Sequence, residues 1–231
     1  MYRNIKVVGF DADDTLWINE PYFKELESKF CELLKNYLPT TDISKQLFKN
    51  EIKNLPLYGY GVKAFMLSLI ETAIHISAKK VPSEIIEKII DLGKQQLNKP
   101  VILLDGVEQV LNKLYTDGYK LIVATKGDLL DQERKLMKSG LEKYFHHIEI
   151  MSEKKESDYS KLLNHLEIKS SEFAMIGNSV KSDILPVVKI GGKGIHVPYH
   201  VTWQHENIIS DNIDNNSFIK VKSITEVLNY F

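Results

Sequence analysis

The chain has 231 residues, enough for one sizeable domain or for a core domain that carries an insertion. A composition of 43% hydrophobic and 26% charged residues excludes a disordered chain, and 30 basic against 31 acidic side chains leave a net charge of −1, with no long-range pull toward nucleic acid or an anionic membrane. The single cysteine, Cys31, excludes an internal disulfide, and its place beside Phe30 and Leu33 in an amphipathic stripe reads as a small core residue.

Ile5 to Phe10 is a short apolar run, rich in β-branched residues, that stops at Asp11 and reads as a buried parallel strand. No cleavable signal pattern precedes it and no apolar run approaches the ~20 residues that span a bilayer, so a cytoplasmic location is expected. The spacing then turns helical. Phe23, Leu26, Phe30, Leu33, Leu34 and Tyr37 form one stripe, and Ile43, Leu47, Phe48 and Ile52 a second after a break at Pro39-Thr40-Thr41-Asp42. Val62, Phe65, Met66, Leu69, Ala73 and Ile74 form a third, and Ile85, Ile86, Ile89 and Ile90 a fourth, with Ser83 placed to cap it. Pro56-Leu57-Tyr58-Gly59-Tyr60-Gly61 interrupts the helical pattern. Four helices between about residues 20 and 98, without a convincing strand, predict a compact bundle.

Alternation resumes near Val101. A helix through Val107, Val110, Leu111 and Leu114 turns at Asp117-Gly118 into a strand, Tyr119 to Ala124, and a helix through Leu129, Leu136 and Met137 ends near Gly140. His147 to Met151 reads as a third strand, Leu162 to Leu166 as helix, Glu172 to Ile176 as a fourth strand and Gly194 to Val197 as a fifth. The polar stretch from Ile208 to Ser217 reads as a surface loop before a short strand and a final helix. The expected architecture is α/β: a doubly wound parallel sheet over residues 1–16 and 101–231, with a helical bundle, residues 17–100, inserted after the first strand.

Open parallel sheets bind ligands beyond the carboxyl ends of their strands, so the residues that follow each strand carry the functional reading. They are Asp11-Ala12-Asp13-Asp14-Thr15, then Thr125-Lys126-Gly127-Asp128, then Ser152-Glu153-Lys154-Lys155, then Gly177-Asn178-Ser179-Val180-Lys181-Ser182-Asp183. Singly, each has a bland reading: a turn or helix cap for Asp13-Asp14, a strand end for Thr125, solvated charge for the lysine pair, turn chemistry for Gly177-Asn178-Ser179. Their occurrence after four successive strands points instead to one site.

In these four segments the chain resembles the haloacid dehalogenase superfamily, in particular its phosphatases with a helical cap inserted after the first strand. The matching residues are Asp11, Asp13 and Thr15 of the Asp-x-Asp-x-Thr signature, Thr125, Lys154 or Lys155, and the acidic loop ending at Asp183. The resemblance implies a Mg²⁺-dependent phosphatase acting on a small phosphorylated metabolite. Asp11 would be the nucleophile and Asp13 the acid and base, and a lysine would neutralise charge. Spacing to Tyr159 favours Lys154, with Lys155 the alternative. Thr125 is the expected phosphoryl contact, Lys126 a further substrate-binding candidate, and Asp11, Asp13, Asn178 and Asp183 the expected metal ligands. Asn178 departs from the pattern, because the family places an acid directly after that glycine.

Tyr58, Tyr60 and Lys63 are candidates for substrate contact from the inserted helices, the alternative for the tyrosines being packing against the core. Trp17 either touches substrate or packs, and Tyr199 and Trp203 are expected on the core rim. The pair His196 and His200 straddles Pro198 and does not suggest a zinc site. A dehalogenase or phosphomutase of the same superfamily, or a weakened phosphate-binding module, are the competing functions. A small phosphate ester is the expected partner, with no nucleic acid or membrane, for a monomer or homodimer. A dinucleotide enzyme would need a glycine-rich turn where this chain has aspartates.

Overall fold

Along the chain come β1 (Val7–Phe10), α1 (Glu20–Leu34), α2 (Thr40–Tyr58), α3 (Val62–Ile76), α4 (Ser83–Leu97), α5 (Val107–Thr116), β2 (Lys120–Lys126), α6 (Leu129–Ser139), β3 (Phe145–Met151), α7 (Glu156–His165), β4 (Phe173–Gly177), α8 (Leu185–Lys189), β5 (Lys193–His196) and β6 (Ile219–Lys220). The computed structural model describes residues 4–206 and 217–231. Two units result: one of Met1–Glu20, Val101–Lys126 and Gln132–Phe231, the other of Pro21–Pro100 with Gly127–Asp131.

The first unit is built on a six-stranded sheet in the order β3-β2-β1-β4-β5-β6, with every pairing parallel. Alternate residues of the buried strands feed opposite faces, as a period of two requires. Val8, Phe10, Leu121, Val123, Ala174 and Ile176 meet Val107, Val110, Leu111 and Leu114 of α5 on one face. Val7, Ile122, Ala124, Phe173 and Met175 meet Tyr159, Leu162 and Leu163 of α7 and Val187 of α8 on the other. Both faces are therefore covered, and the carboxyl ends of β1, β2, β3 and β4 present their loops along one edge.

The second unit buries Leu26, Phe30, Cys31 and Leu34 of α1 with Ile43 and Leu47 of α2, Leu69 and Ala73 of α3 and Ile89 of α4. Cys31 is a core residue, its thiol pushed up to about 11 by burial and by Glu27. Pro56 does not interrupt a helix here. It lies in the last turn of α2, where the missing N–H costs one bond and the chain leaves at Gly59, whose φ of 70° ends the helix. Ser83 is not the cap either: it is the first residue of the helix, and the extended Pro82 holds the cap position.

Further differences are local. β2 runs through Thr125 and Lys126, so these residues end the strand rather than follow it. The last helical segment, Ile224–Tyr230, is a 3₁₀ helix. The loop expected from Ile208 lies, up to residue 216, outside the described residues. Among the described residues no helix is long and apolar enough to cross a membrane.

Candidate active site

Asp11 is the first residue past β1, fixed by its own N–H, which donates to Ile176 O of β4 at 2.9 Å. Its carboxylate meets a lysine from far along the chain: Lys154 Nζ donates to Asp11 Oδ1 at 2.5 Å and to Asp183 Oδ1 at 2.6 Å. All three are buried. Two carboxylates share one ammonium, which leaves an excess of negative charge where little water can screen it. Burial, then the charge of Asp183, pushes the Asp11 carboxyl up to about 7, against the pull of Lys154. Burial works against the lysine's own charge, yet Asp11 and Asp183 outweigh it and hold its pKa well above the usual range.

Lys154 precedes α7 and is 4% exposed, whereas Lys155 beside it is exposed. Tyr159, one turn into α7, is buried and donates to Ser182 O at 3.1 Å, tying that helix to the loop that carries Asp183. Asp183 closes a π-helical turn, Val180–Ile184, and accepts from Ser179 N–H at 2.9 Å through its second oxygen. Gly177 makes this possible, since a Cβ there would stand 2.3 Å from Asp183 Oδ2.

Thr15 joins the first loop to the fourth. Its hydroxyl donates to Asp11 Oδ2 at 3.2 Å, lies 3.5 Å from Asn178 Oδ1 and accepts from Asn178 N–H at 3.0 Å. A carboxylate oxygen and an amide oxygen thus converge on one hydroxyl. His196, at the end of β5, lies with Nε2 2.9 Å from Asn178 O and braces the same loop. Among the described residues no three His, Cys, Asp or Glu side chains form a metal cage. The donors present are all oxygen: Asp11, Asn178 and Asp183, with negative charge in excess. That set fits Mg²⁺, which takes one or two carboxylates and completes its shell with water and substrate phosphate.

Asp13, an expected metal ligand, holds its carboxylate on three donors. Trp17 Nε1 and Lys135 Nζ both donate to its Oδ1 at 2.7 Å, and Gln132 Nε2 donates to its Oδ2 at 2.9 Å. Trp17 is buried and anchors Asp13 instead of facing outward. Asp14 takes the bland role: at φ 61° its carboxylate accepts from the N–H groups of Asn19 and Glu20 and caps α1. Burial pushes its carboxyl up to about 8 despite those bonds.

Thr125 is buried at the end of β2, where its hydroxyl accepts from Gln132 Nε2 at 3.3 Å. Lys126, expected to contact substrate, gives its ammonium to Glu206 Oε1 at 2.6 Å and to Ser182 Oγ at 3.0 Å. The ammonium is drawn to a carboxylate that burial has stripped of water. In the helical unit Tyr58 is exposed and donates to Glu71 Oε1 at 3.2 Å. Tyr60 is half-buried, and Lys63 pairs with Asp128 at 2.9 Å. Tyr199 stacks near His200 and Trp203 near His205, with centroids 4.4 and 4.9 Å apart.

Three contributors to this rim are not legible as motifs. Gln132 and Lys135 sit on α6 and Glu206 in a 3₁₀ turn, each far in sequence from the groups it binds. A signal existed for the first pair: polar residues at spacing three on a helix that follows a rim strand. Glu206 offered none.

The fold agrees with what the chain is similar to. The family model of haloacid dehalogenase-like hydrolases matches residues 5–191. A solved haloacid dehalogenase-like family hydrolase from Xanthomonas campestris is 36% identical, with a TM-score of 0.86 over 96% of this chain and 88% of that one. A predicted phosphoglycolate phosphatase from Haemophilus somnus is 15% identical (TM-score 0.64, 98% of both chains). A 2-haloacid dehalogenase from Pseudomonas syringae is 17% identical (TM-score 0.63, 97% of both chains). Among curated proteins none is significantly similar in sequence. The chain belongs to the haloacid dehalogenase-like hydrolase family.

Proposed function

We propose that the protein is a Mg²⁺-dependent phosphatase that hydrolyses a small phosphate ester through a phosphorylated Asp11. The observation that carries this reading is the pair of carboxylates two residues apart in separate surroundings, Asp11 on the buried Lys154 and Asp13 on Trp17, Gln132 and Lys135. A nucleophile and an acid–base group need to be separate in this way. The similar solved structures include both a phosphatase and a dehalogenase, so the fold does not choose between them. Displacement of halide from carbon gives no alkoxide to protonate, and a second held aspartate would be idle there.

In this reading an Asp11 oxygen attacks phosphorus and the bond to the ester oxygen breaks. Asp13 supplies the proton that the leaving alcohol takes up. It then accepts a proton from water as that water attacks the phosphorylated Asp11, which releases phosphate and restores the carboxylate. Its three donors fix its rotamer, and loss of one of them is part of its turn from acceptor to donor. Lys154 stays within reach of Asp11 and offsets charge there, and the Thr125 hydroxyl is available to a phosphoryl oxygen. Asp11, Asn178 and Asp183 would hold Mg²⁺, which when bound screens the carboxylates from the phosphate and stabilises charge on its oxygens. Substrate selection is assigned to the helical unit and its turn at Tyr58-Gly59-Tyr60, with Lys63 beside it.

The test is phosphate release from an aryl phosphate with and without Mg²⁺, for the native protein and for Asp11→Asn. Metal-dependent release that Asp11→Asn abolishes supports the reading. Release that survives the substitution, or halide release from a 2-haloacid without phosphate release, overturns it.

A further inference from the structure

Glu206 makes an unusual set of contacts for a residue outside every motif. Oε1 accepts from Lys126 Nζ at 2.6 Å, and Oε2 accepts from Ser179 Oγ at 2.6 Å and from Ser182 Oγ at 2.7 Å. The Lys126 and Glu206 side chains are each only 13% exposed. Lys126 Nζ also reaches Ser182 Oγ at 3.0 Å, so ammonium, carboxylate and two hydroxyls form one cluster. The segment is tied a second time, because Lys181 Nζ donates to His205 O at 2.8 Å. Three stretches meet here: the end of β2, the π-helical turn after β4, and the 3₁₀ turn Gln204–Glu206. The first presents Thr125 and the second Asp183, with Asn178 just before it.

We propose that Glu206 is a positioning residue: by accepting from Lys126, Ser179 and Ser182 together, it sets the spacing between the Thr125 hydroxyl and the loop that carries Asn178 and Asp183. The proposal rests on the phosphatase reading and adds a residue and a role to it. Lys126 is then a structural cation of the rim and not a phosphate contact. The physical argument is one of leverage. Thr125 lies at the end of β2 and Asp183 in the turn after β4, and within the cluster a single carboxylate takes a donor from both segments. A shift of about 1 Å between groups that bind one phosphoryl group is enough to cost about a hundredfold in rate.

The experiment measures kcat and KM for an aryl phosphate at 25 °C with saturating Mg²⁺, thermal melting, and hydrogen exchange of the peptide spanning residues 178–184. The variants are Glu206→Gln, Lys126→Met, the two combined, and Ser179→Ala with Ser182→Ala. For Glu206→Gln the expected result is a fall in kcat of about 10- to 100-fold with KM changed less than about threefold, and faster exchange in the 178–184 peptide. The combined Lys126→Met and Glu206→Gln variant should lose no more than the worse single one, since both act through one contact. A lower melting temperature with native kcat and native exchange would show a merely stabilising ion pair and overturn the proposal. So would additive losses in the combined variant. Should Glu206→Gln fail to fold, the double serine variant decides: a smaller fall in kcat with faster exchange supports the role, and native values for both overturn it. A native protein inactive on every phosphate ester would overturn the phosphatase reading together with this one. An active native protein whose Glu206→Gln form is equally active overturns this one alone.

Discussion

Asp11 and Asp13 are two residues apart in the chain and meet opposite surroundings. The Asp11 carboxylate shares a buried ammonium with Asp183, in a region short of positive charge, and its carboxyl is pushed up to about 7, chiefly by burial. The Asp13 carboxylate, 23% exposed, has an ammonium of its own from Lys135 as well as an indole and an amide donor. A strand end followed by a bend produces this difference: Asp11 still belongs to the line of β1, while Asp13 forms a bridge to Trp17 and turns toward α6. One short signature thus places two carboxylates in two different surroundings.

Asp11→Asn should break the comparison most completely. Phosphatase activity is expected to fall by about 10⁴-fold or more while circular dichroism stays native, because the phosphatase reading makes Asp11 the nucleophile and Lys154 keeps Asp183 as its partner. Asp13→Asn should lose about 10²–10⁴-fold, and the loss should be larger for an alkyl than for an aryl phosphate, whose leaving group needs less help from an acid. Equal losses on the two esters would contradict a proton-transfer role. Lys154→Met leaves Asp11 and Asp183 facing each other without their cation, and denaturant unfolding at pH 7 should show about 3–5 kcal/mol of lost stability. Lys155→Met, on an exposed side chain, should stay within about 0.5 kcal/mol of native.

Glu206 gives a third carboxylate against which the other two can be read. Burial alone would raise its carboxyl, but Lys126 and the two serine hydroxyls outweigh burial and hold it at about 2 instead of the usual 4.5. The sign follows from linkage. A depressed folded-state pKa contributes stability that is complete above pH 4.5 and is lost as pH falls through about 2. The stability gap between the native protein and Glu206→Gln should therefore be widest near neutral pH, at most about 3 kcal/mol, and should close between pH 4.5 and 2. Denaturant titrations at four pH values check it.

The alternation of apolar strands with amphipathic helices was legible because both faces of this sheet are covered, so each buried strand is a continuous apolar run. The four helices of the second unit were legible from their stripes. What misled was local chemistry that tertiary structure overrides. Pro56 reads as a break, yet a proline in the final turn of α2 leaves the helix intact up to Tyr58. In the site, motif residues could be named in sequence but their partners could not. That Asp13 looks toward Lys135 and Gln132, and Lys126 toward Glu206, depends on which helix passes the rim and at what height. Gln132 shows the limit well: its amide bonds Asp13, Thr125 and the carbonyl of Lys126, while its Oε1 is buried without a partner among the described residues. No periodicity or spacing rule reports such a placement.

The central claim is a covalent one: phosphorus is bound for a time to Asp11. The direct measurement mixes the protein and Mg²⁺ with a radiolabelled phosphate ester, quenches in acid within milliseconds, and sequences the labelled peptide. Label on the peptide containing residues 5–16, acid-stable, released by hydroxylamine and absent from Asp11→Asn, is the expected result. Rapid phosphate release with no label on the protein, or label on any other residue, would contradict it.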